Sequence, residues 1–289
     1  MIRLDAATVL LQWAVGGLLF LWVTTRRREV GVGYGWLLRA VYLVLAVGAL
    51  AAGQIGDQVI VRDVAAVGVV LASAGALIAS VVRRKAGVTG ERERDGRRSE
   101  RIAAMTGIDR DVAVRDASAS EFPPALDLIA PVVGVIGLVA AAIADVDGGG
   151  AGALAVSMLR TLVGAAFLGS VSDAMLLGHW YLVQPGLARG PLNELNRWLA
   201  VVWPFEVVAL LLPTGMFSVL SGSIDDGYGG ILGWFWIACA ITTIVLTFVT
   251  KAALKERAYS AVMAATGLLY LAILTAFGTD LVARAVLSG

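Results

Sequence analysis

Long apolar runs alternate with short polar connections along the 289 residues of the chain. Most runs are roughly 18–25 residues long and nearly free of charge, which is the length an α-helix needs to cross ~30 Å of hydrocarbon. The pattern predicts an all-α polytopic membrane protein with about eight transmembrane helices. We place them at residues 6–23, 36–52, 64–82, 125–144, 161–183, 198–212, 231–250 and 258–277.

One long charged segment, residues 83–121, separates the third apolar run from the fourth. It holds ten Lys or Arg and eight Asp or Glu residues. This mixed charge predicts a solvated cytoplasmic loop, within which residues 97–112 can form a short surface helix. A docking site for a soluble partner protein is the alternative interpretation. The chain therefore divides into helices one to three (1–82), the charged loop (83–124), and helices four to eight (125–289).

Basic residues favour one set of connections, and this asymmetry predicts the orientation. The basic set contains Arg26–Arg28, the segment 83–121, Arg189, Arg197, Lys251, Lys255 and Arg257. The opposite set is mainly acidic and contains Asp57, Arg62, Asp63, Asp145, Asp147, Asp225 and Asp226. We expect the basic connections to be cytoplasmic and both termini to lie outside. The Arg-rich, Lys-poor usage, with abundant Ala, Val and Gly, favours a bacterial inner (plasma) membrane.

Composition agrees with a membrane protein and narrows its chemistry. The chain is 58% hydrophobic and 16% charged, whereas soluble domains average about 45–50% and about 25%. A net charge of +1 gives no indication of a nucleic-acid partner. The single cysteine, Cys239, excludes an intrachain disulfide and a CxxC metal site. Because no phosphate-binding loop, HExxH motif or nucleophile elbow is present, the sequence does not favour an enzyme, and we expect no cofactor.

Three ionisable residues, Asp173, His179 and Glu206, lie inside the fifth and sixth runs. A charged side chain at the bilayer centre costs about 2.5–3.5 kcal/mol, so such residues are usually functional. Asp173 lies near the middle of its run, while His179 and Glu206 lie ~9 and ~12 Å from the cytoplasmic ends of theirs. The short connection predicts antiparallel neighbouring helices. We therefore expect His179 and Glu206 to meet at one depth, in a proton- or ligand-binding site that includes Asp173.

Two prolines near Glu206 add backbone acceptors to this site. Pro204 and Pro213 lack the N–H groups that would bond the carbonyls of Ala200 and Ala209. Such freed carbonyls can hold a cation, a proton-carrying water or a ligand hydroxyl. The prolines and His179 also have structural interpretations. Proline kinks occur without ligands, and a histidine next to Trp and Tyr can anchor a helix at the headgroups.

Two functional classes fit the pattern. In the first, the protein is a proton- or cation-coupled carrier of a small solute, with Glu206 and His179 titrating and Asp173 as a central gate. In the second, it is a membrane subunit of a respiratory or assembly complex, which binds a quinone or contacts a partner through residues 83–121. The absence of an internal repeat counts against the first class. A single histidine and no metal motif count against the second as an autonomous redox enzyme.

Overall fold

A computed structural model describes residues 4–106, 119–146, 150–184 and 186–288 of the chain. These residues form helices and connections, and no strand occurs among them. A short 3-10 turn, Pro124–Leu128, leads directly into the fifth helix. The helices are α1 (Ala6–Thr25), α2 (Val32–Ile55), α3 (Ile60–Val82), α4 (Thr89–Thr106), α5 (Ile129–Ala144), α6 (Ala151–Val183), α7 (Gly190–Leu211), α8 (Gly215–Leu220), α9 (Ile231–Ala253) and α10 (Tyr259–Leu287).

Seven of these helices are long and apolar enough to cross a membrane: α1, α2, α3, α5 with its preceding turn, α6, α9 and α10. The predicted class, an all-α polytopic membrane protein, is thereby confirmed. Two further long helices are not in this group: α4, which is highly charged, and α7, whose 22 residues include Asn193, Glu194, Asn196, Arg197 and Glu206.

α7 nevertheless runs antiparallel along α6 for most of its length. At one end the hydroxyl of Tyr181 donates to the carbonyl of Ala188, and at the other Nε of Arg160 donates to the carbonyl of Ala209. The two contacts are 21 residues apart along each segment. On α6, from Arg160 to Tyr181, this separation corresponds to ~31 Å of helix. α7 therefore lies against the part of α6 between Arg160 and Tyr181.

Helix α6 is the centre of the bundle, and α1, α5, α7 and α10 all pack against it. Its crossing with α1 is a backbone contact. A Cβ added to Gly16 would collide with the carbonyl of Ala165, and a Cβ on Gly169 would collide with the backbone of Gly16. Small residues permit this close approach, which is a common means of packing helices in membranes.

Polarity is distributed inside out relative to a soluble protein. Large apolar side chains such as Leu71, Trp234 and Leu274 are exposed on the outer surface of the bundle, where lipid would contact them. Buried charged residues face the interior instead, as intramembrane charges generally do. They include Arg39, Arg62, Asp127, Arg160, Asp173, Glu206, Asp280 and Arg284.

The charged segment begins as an ordered helix, α4, which starts earlier than the helix predicted at residues 97–112. Its first turn is fixed to the bundle, because the amide of Gly90 donates to the carbonyl of Arg28 at 3.0 Å and Arg92 pairs with Glu121. The later turns are more exposed, and Met105 is 76% exposed. Residues 107–118 lie outside the described part of the chain.

Candidate functional site

Asp173 lies inside the bundle, on the face of α6 that meets α2. The hydroxyl of Tyr42 donates to its Oδ1, and the hydroxyl of Tyr34 donates to its backbone carbonyl at 3.4 Å. Gly17 makes room for this contact, since a Cβ there would collide with the Tyr42 ring. Within the described residues nothing donates to Oδ2 of Asp173, which is buried. The residue therefore has a single side-chain donor, supplied by a tyrosine.

His179 lies on the outside of the bundle, and its side chain is exposed. Its Nδ1 is 3.0 Å from the hydroxyl of Tyr270 on α10, and the two rings are perpendicular at 6.2 Å. One turn of helix away, the hydroxyl of Thr266 donates to the carbonyl of Gly178 at 3.0 Å. These contacts tie the last turns of α6 to the first half of α10.

The expected pairing of His179 with Glu206 is wrong. That expectation measured depth from residue 198, but α7 begins at Gly190. Glu206 is therefore sixteen residues, or ~24 Å, from the start of its helix and lies toward the opposite end of the bundle. It faces Asp280 of α10. Asp280 lies ten residues along α10 from Tyr270, the residue that His179 contacts.

Glu206 lies instead among three other charged residues: Asp280 and Arg284 of α10 and Arg160 of α6. Nε of Arg284 donates to both carboxylate oxygens of Asp280, at 2.9 and 2.8 Å. Glu206 is completely buried, yet neither of its carboxyl oxygens accepts a hydrogen bond from any described group. Nη2 of Arg284 likewise has no acceptor there. We call Glu206, Asp280, Arg284 and Arg160 the charged cluster.

Helix α1 completes the wall of the charged cluster. Nε2 of Gln12 donates to the carbonyl of Thr161 at 2.6 Å, while its Oε1 has no donor among the described residues. A Cβ on Gly164 would lie 2.9 Å from Nη2 of Arg284 and 3.3 Å from Oδ1 of Asp280. Glycine at this position therefore leaves space for the ion pair against α6. Four helices converge on these groups.

Arg160 donates hydrogen bonds to the backbone near the second proline, Pro213. Its Nε donates to the carbonyl of Ala209 at 3.0 Å, and its Nη2 donates to the carbonyl of Leu212. Pro213 has no N–H with which to bond Ala209, so this acceptor is available. The group that bonds the freed carbonyl of Ala209 is therefore the guanidinium of Arg160, a cation that belongs to the protein itself.

A cavity of about 250 Å³ reaches the charged cluster from the end of the bundle that carries the acidic connections. Arg284 and Thr161 line it at the cluster side. The mouth is charged as well: Arg62 pairs with Asp5 and, at 2.9 Å, with Asp63. The full lining consists of Asp5, Thr8, Asp57, Gln58, Val59, Arg62, Ala141, Ala144, Asp145, Thr161 and Arg284.

The arrangement allows proton or cation chemistry at the charged cluster. Two carboxyl groups, Glu206 and Asp280, approach closely enough to share a hydrogen bond. Because an ionised carboxylate only accepts hydrogen bonds, that bond forms when one of the two is protonated. Arg284 and Arg160 compensate negative charge when the proton leaves. The cluster is therefore neutral when Glu206 is ionised and carries one net positive charge when Glu206 is protonated.

Sequence reasoning missed Asp280, Arg284 and Arg160. The eighth run was placed at residues 258–277, but α10 continues to Leu287 and so includes Asp280 and Arg284. The available signal was the i, i+4 spacing of Asp280 and Arg284, which lets the pair neutralise itself on one helix face. A second buried pair, Arg39 with Asp127 at 2.7 and 2.8 Å, was also missed, although both residues lie inside the predicted runs 36–52 and 125–144.

No family model matches this chain, and comparisons with curated proteins and with solved structures likewise give no match. Function is therefore inferred from the geometry of the bundle.

Proposed function

We propose that the protein is an eight-helix carrier of the bacterial inner membrane that couples a small solute to protons or cations. Glu206 is the titrating residue, in contact with Asp280 and Arg284, and Asp173 is a second proton-binding position. His179 enters the proposal as a helix anchor, since its ring lies on the outside of the bundle with Tyr270. The observation that carries the proposal is the fully buried Glu206 carboxyl, which accepts from no N–H or hydroxyl group in the described structure and lies beside the carboxyl of Asp280.

Burial of such a carboxyl opposes folding. Removal of an ion from water costs several kcal/mol even after the protein relaxes, and the cost is recovered only when hydrogen bonds satisfy its lone pairs. A structural role would be expected to supply those donors. A glutamate retained without them, beside a second carboxyl, favours a role in which the proton or a ligand comes and goes.

Access to the charged cluster supports the same role. Arg284 lines the 250 Å³ cavity and also holds Asp280, so a solute or water in the cavity reaches the ion pair directly. Deeper in the membrane, Asp173 lies nine residues along α6 from Gly164, or ~14 Å. Tyr42 supplies its hydroxyl there. The two carboxyl positions would act as successive stations along α6.

Eight crossings with both termini outside agree with the basic connections and with the antiparallel packing of α7 on α6. In this orientation the cavity opens to the outside. A periplasmic reporter enzyme fused to the C terminus should then be active, and the same reporter inserted between residues 87 and 96 should be silent. The reverse pattern would contradict the orientation, and activity at both positions would contradict an even number of crossings.

The coupling itself can be tested in liposomes that contain a pH-sensitive dye. With an inward proton gradient imposed, alkali cations, divalent cations, amino acids and organic acids are added one class at a time. We expect at least one class to accelerate acidification of the lumen by the wild type, and Glu206→Gln to abolish the acceleration. Glu194→Gln is the matched control, because Glu194 pairs with Arg26 and Arg27 at the surface. Wild-type liposomes that respond to no class would contradict the carrier.

The exposed part of α4 favours a second candidate, a subunit of a respiratory or assembly complex. The first turn of α4 is held through Gly90 and Arg92, and the later turns present charged residues and Met105 to the solvent. A partner would dock there, and a quinone would be its shared substrate. Replacing residues 95–105 with a Gly-Ser linker should release a co-purifying protein if this candidate is right. An unchanged set of co-purifying proteins would contradict it.

A further inference from the structure

A second cavity, of about 560 Å³, lies at the opposite end of the bundle from the charged cluster. It is enclosed by the first turns of α2, the last turns of α6 and the start of α4, beside the basic connections. Its volume falls within the range usual for small-ligand sites, about 300–1,000 Å³. We call this cavity the interfacial pocket. Its chemically distinctive lining residues are Trp36, Trp180, Arg84, Arg94, Glu91 and Asp95.

The two tryptophans are held in fixed positions. Nε1 of Trp36 donates to the hydroxyl of Ser80 at 3.0 Å, and Nε1 of Trp180 donates to the side chain of Gln184 at 2.8 Å. Gly33 lets the Trp180 ring lie against α2, because a Cβ there would come within 3.0 Å of the ring. With their N–H groups occupied, both indoles present carbon surface to the pocket.

Lipid-facing side chains fix the depth of the interfacial pocket. Val183 lines it and is 62% exposed, and Val82, just before Arg84, is 74% exposed. Charged residues of α4 cover the other side. The pocket therefore spans the boundary between hydrocarbon and water, which is the level at which tryptophan is enriched in membrane proteins. A molecule that fills it would have an apolar part and a charged part.

The charges of the lining are balanced. Arg84 and Arg94 supply two cations, while Glu91 and Asp95 supply two anions, with Asp95 3.7 Å from Arg94. Arginine suits a phosphate group, and carboxylates and indole rings that line one cavity suit an ammonium group. An anionic headgroup would match only the arginines. A quaternary ammonium would have no N–H to donate to the carboxylates.

We propose that the interfacial pocket binds the headgroup of a zwitterionic phospholipid with a primary amine, such as phosphatidylethanolamine. Arg84 and Arg94 contact the phosphate, and Glu91 and Asp95 accept from the ammonium group between the two tryptophans. The acyl chains leave along the exposed surface near Val82 and Val183. This proposal is independent of the carrier proposal.

Native mass spectrometry of the full chain in detergent, titrated with each lipid separately, tests this assignment. We expect phosphatidylethanolamine to bind about tenfold more tightly than phosphatidylcholine or phosphatidylglycerol, because each discriminating group forms charge-assisted hydrogen bonds. Arg84→Gln with Arg94→Gln should weaken phosphatidylethanolamine binding by about tenfold or more. Arg101→Gln, on an exposed turn of α4 outside the pocket, should leave it unchanged.

Asp95→Asn separates amine recognition from phosphate recognition. It should reduce the preference for phosphatidylethanolamine over phosphatidylcholine while phosphatidylcholine binding stays the same. Equal binding of the three lipids by the wild type, or a preference for phosphatidylglycerol, would overturn the proposal. Wild-type affinity in the double arginine variant would overturn it as well. Melting temperatures in the same detergent establish that each variant is folded.

Discussion

Arg284 and Asp280 lie one turn apart on α10, with Nε of the arginine 2.9 and 2.8 Å from the two carboxylate oxygens. This contact satisfies Asp280 within its own helix. Glu206 approaches from α7 and has no donor of its own among the described residues. The charged cluster therefore combines one formed ion pair with one carboxyl whose neighbouring hydrogen-bonding group is the carboxyl of Asp280.

Substitution of Glu206 should separate stability from function. Glu206→Gln removes the ionisable group, and its amide can still donate to the Asp280 carboxylate, so we expect a melting temperature within ~3 °C of the wild type. Solute-dependent proton movement should be lost. Infrared difference spectra recorded across a pH titration should also lose a carboxylic C=O band. A large fall in melting temperature would instead show that Glu206 has a structural partner.

Asp280 and Glu206 should compensate for each other as partners of Arg284. Asp280→Asn alone should cost ~1–2 kcal/mol, since Glu206 can ionise and pair with the guanidinium. Asp280→Asn combined with Glu206→Gln leaves Arg284 buried without an anion, and such losses reach ~3–5 kcal/mol. Thermal or denaturant unfolding of both single variants and the double variant measures the difference. A double-variant loss equal to the sum of the single losses would contradict this coupling.

His179 should behave as a packing residue. His179→Phe and Tyr270→Phe each remove the 3.0 Å contact between α6 and α10, so each should cost ~0.5–1.5 kcal/mol. The double variant should cost about as much as either single variant, because one hydrogen bond is lost in all three. Solute-dependent proton movement should survive in every case. Its loss in His179→Phe would return histidine to the mechanism.

The connection between α8 and α9 should loosen in acid. The Asp226 carboxylate accepts hydrogen bonds from the amides of Gly230 and Tyr228 at 2.8 and 2.9 Å and from Leu232 at 2.8 Å. The bond from Gly230, followed by the others, holds the pKa of Asp226 below its usual value. Because the pKa is depressed in the fold, this stabilisation is complete above the unfolded pKa of about 3.9. It is lost as the pH falls through the folded value.

Hydrogen exchange measures this loosening directly. Protection factors of the Gly230 and Leu232 amides should be high at neutral pH and should fall in acid. In Asp226→Ala they should be low at every pH. Asp225→Ala is the matched control, because Asp225 bonds only the amide of Gly227 among the contacts described. Protection that is unchanged in Asp226→Ala would contradict the role of this carboxylate.

Apolar run length was sufficient to predict the class of fold, but helix ends set the geometry of the site. α7 begins at Gly190 because Pro191 is favourable in a first helical turn, and the run pattern started it at residue 198. That difference of eight residues displaces Glu206 by ~12 Å. The predicted eighth run ended at residue 277, but α10 continues to Leu287. Asp280 and Arg284 lie in this additional part, where they neutralise each other inside the helix.

Contacts between helices that are distant along the chain could not be predicted from the sequence. Tyr42 is separated from Asp173 by 131 residues, and no spacing rule connects a tyrosine in the second run with a carboxyl in the fifth. Burial of both Glu206 and Asp173 followed from their positions in apolar runs. Their partners depended on the rotation of each helix about its axis, which small residues such as Gly17 and Gly164 determine by close packing.

The backbone contact of Gly16 with Gly169 has a mechanical consequence. No side chain lies between α1 and α6 at this crossing, so there is nothing that can repack to let one helix slide past the other. The two helices should move as one rigid body. If the protein is the carrier proposed above, we expect relative movement between α7 and α10, which present Glu206 and Asp280 to each other. A bulky residue at position 16 should therefore push α1 away from α6. A crosslink between α7 and α10 should stop the proposed solute-dependent proton movement.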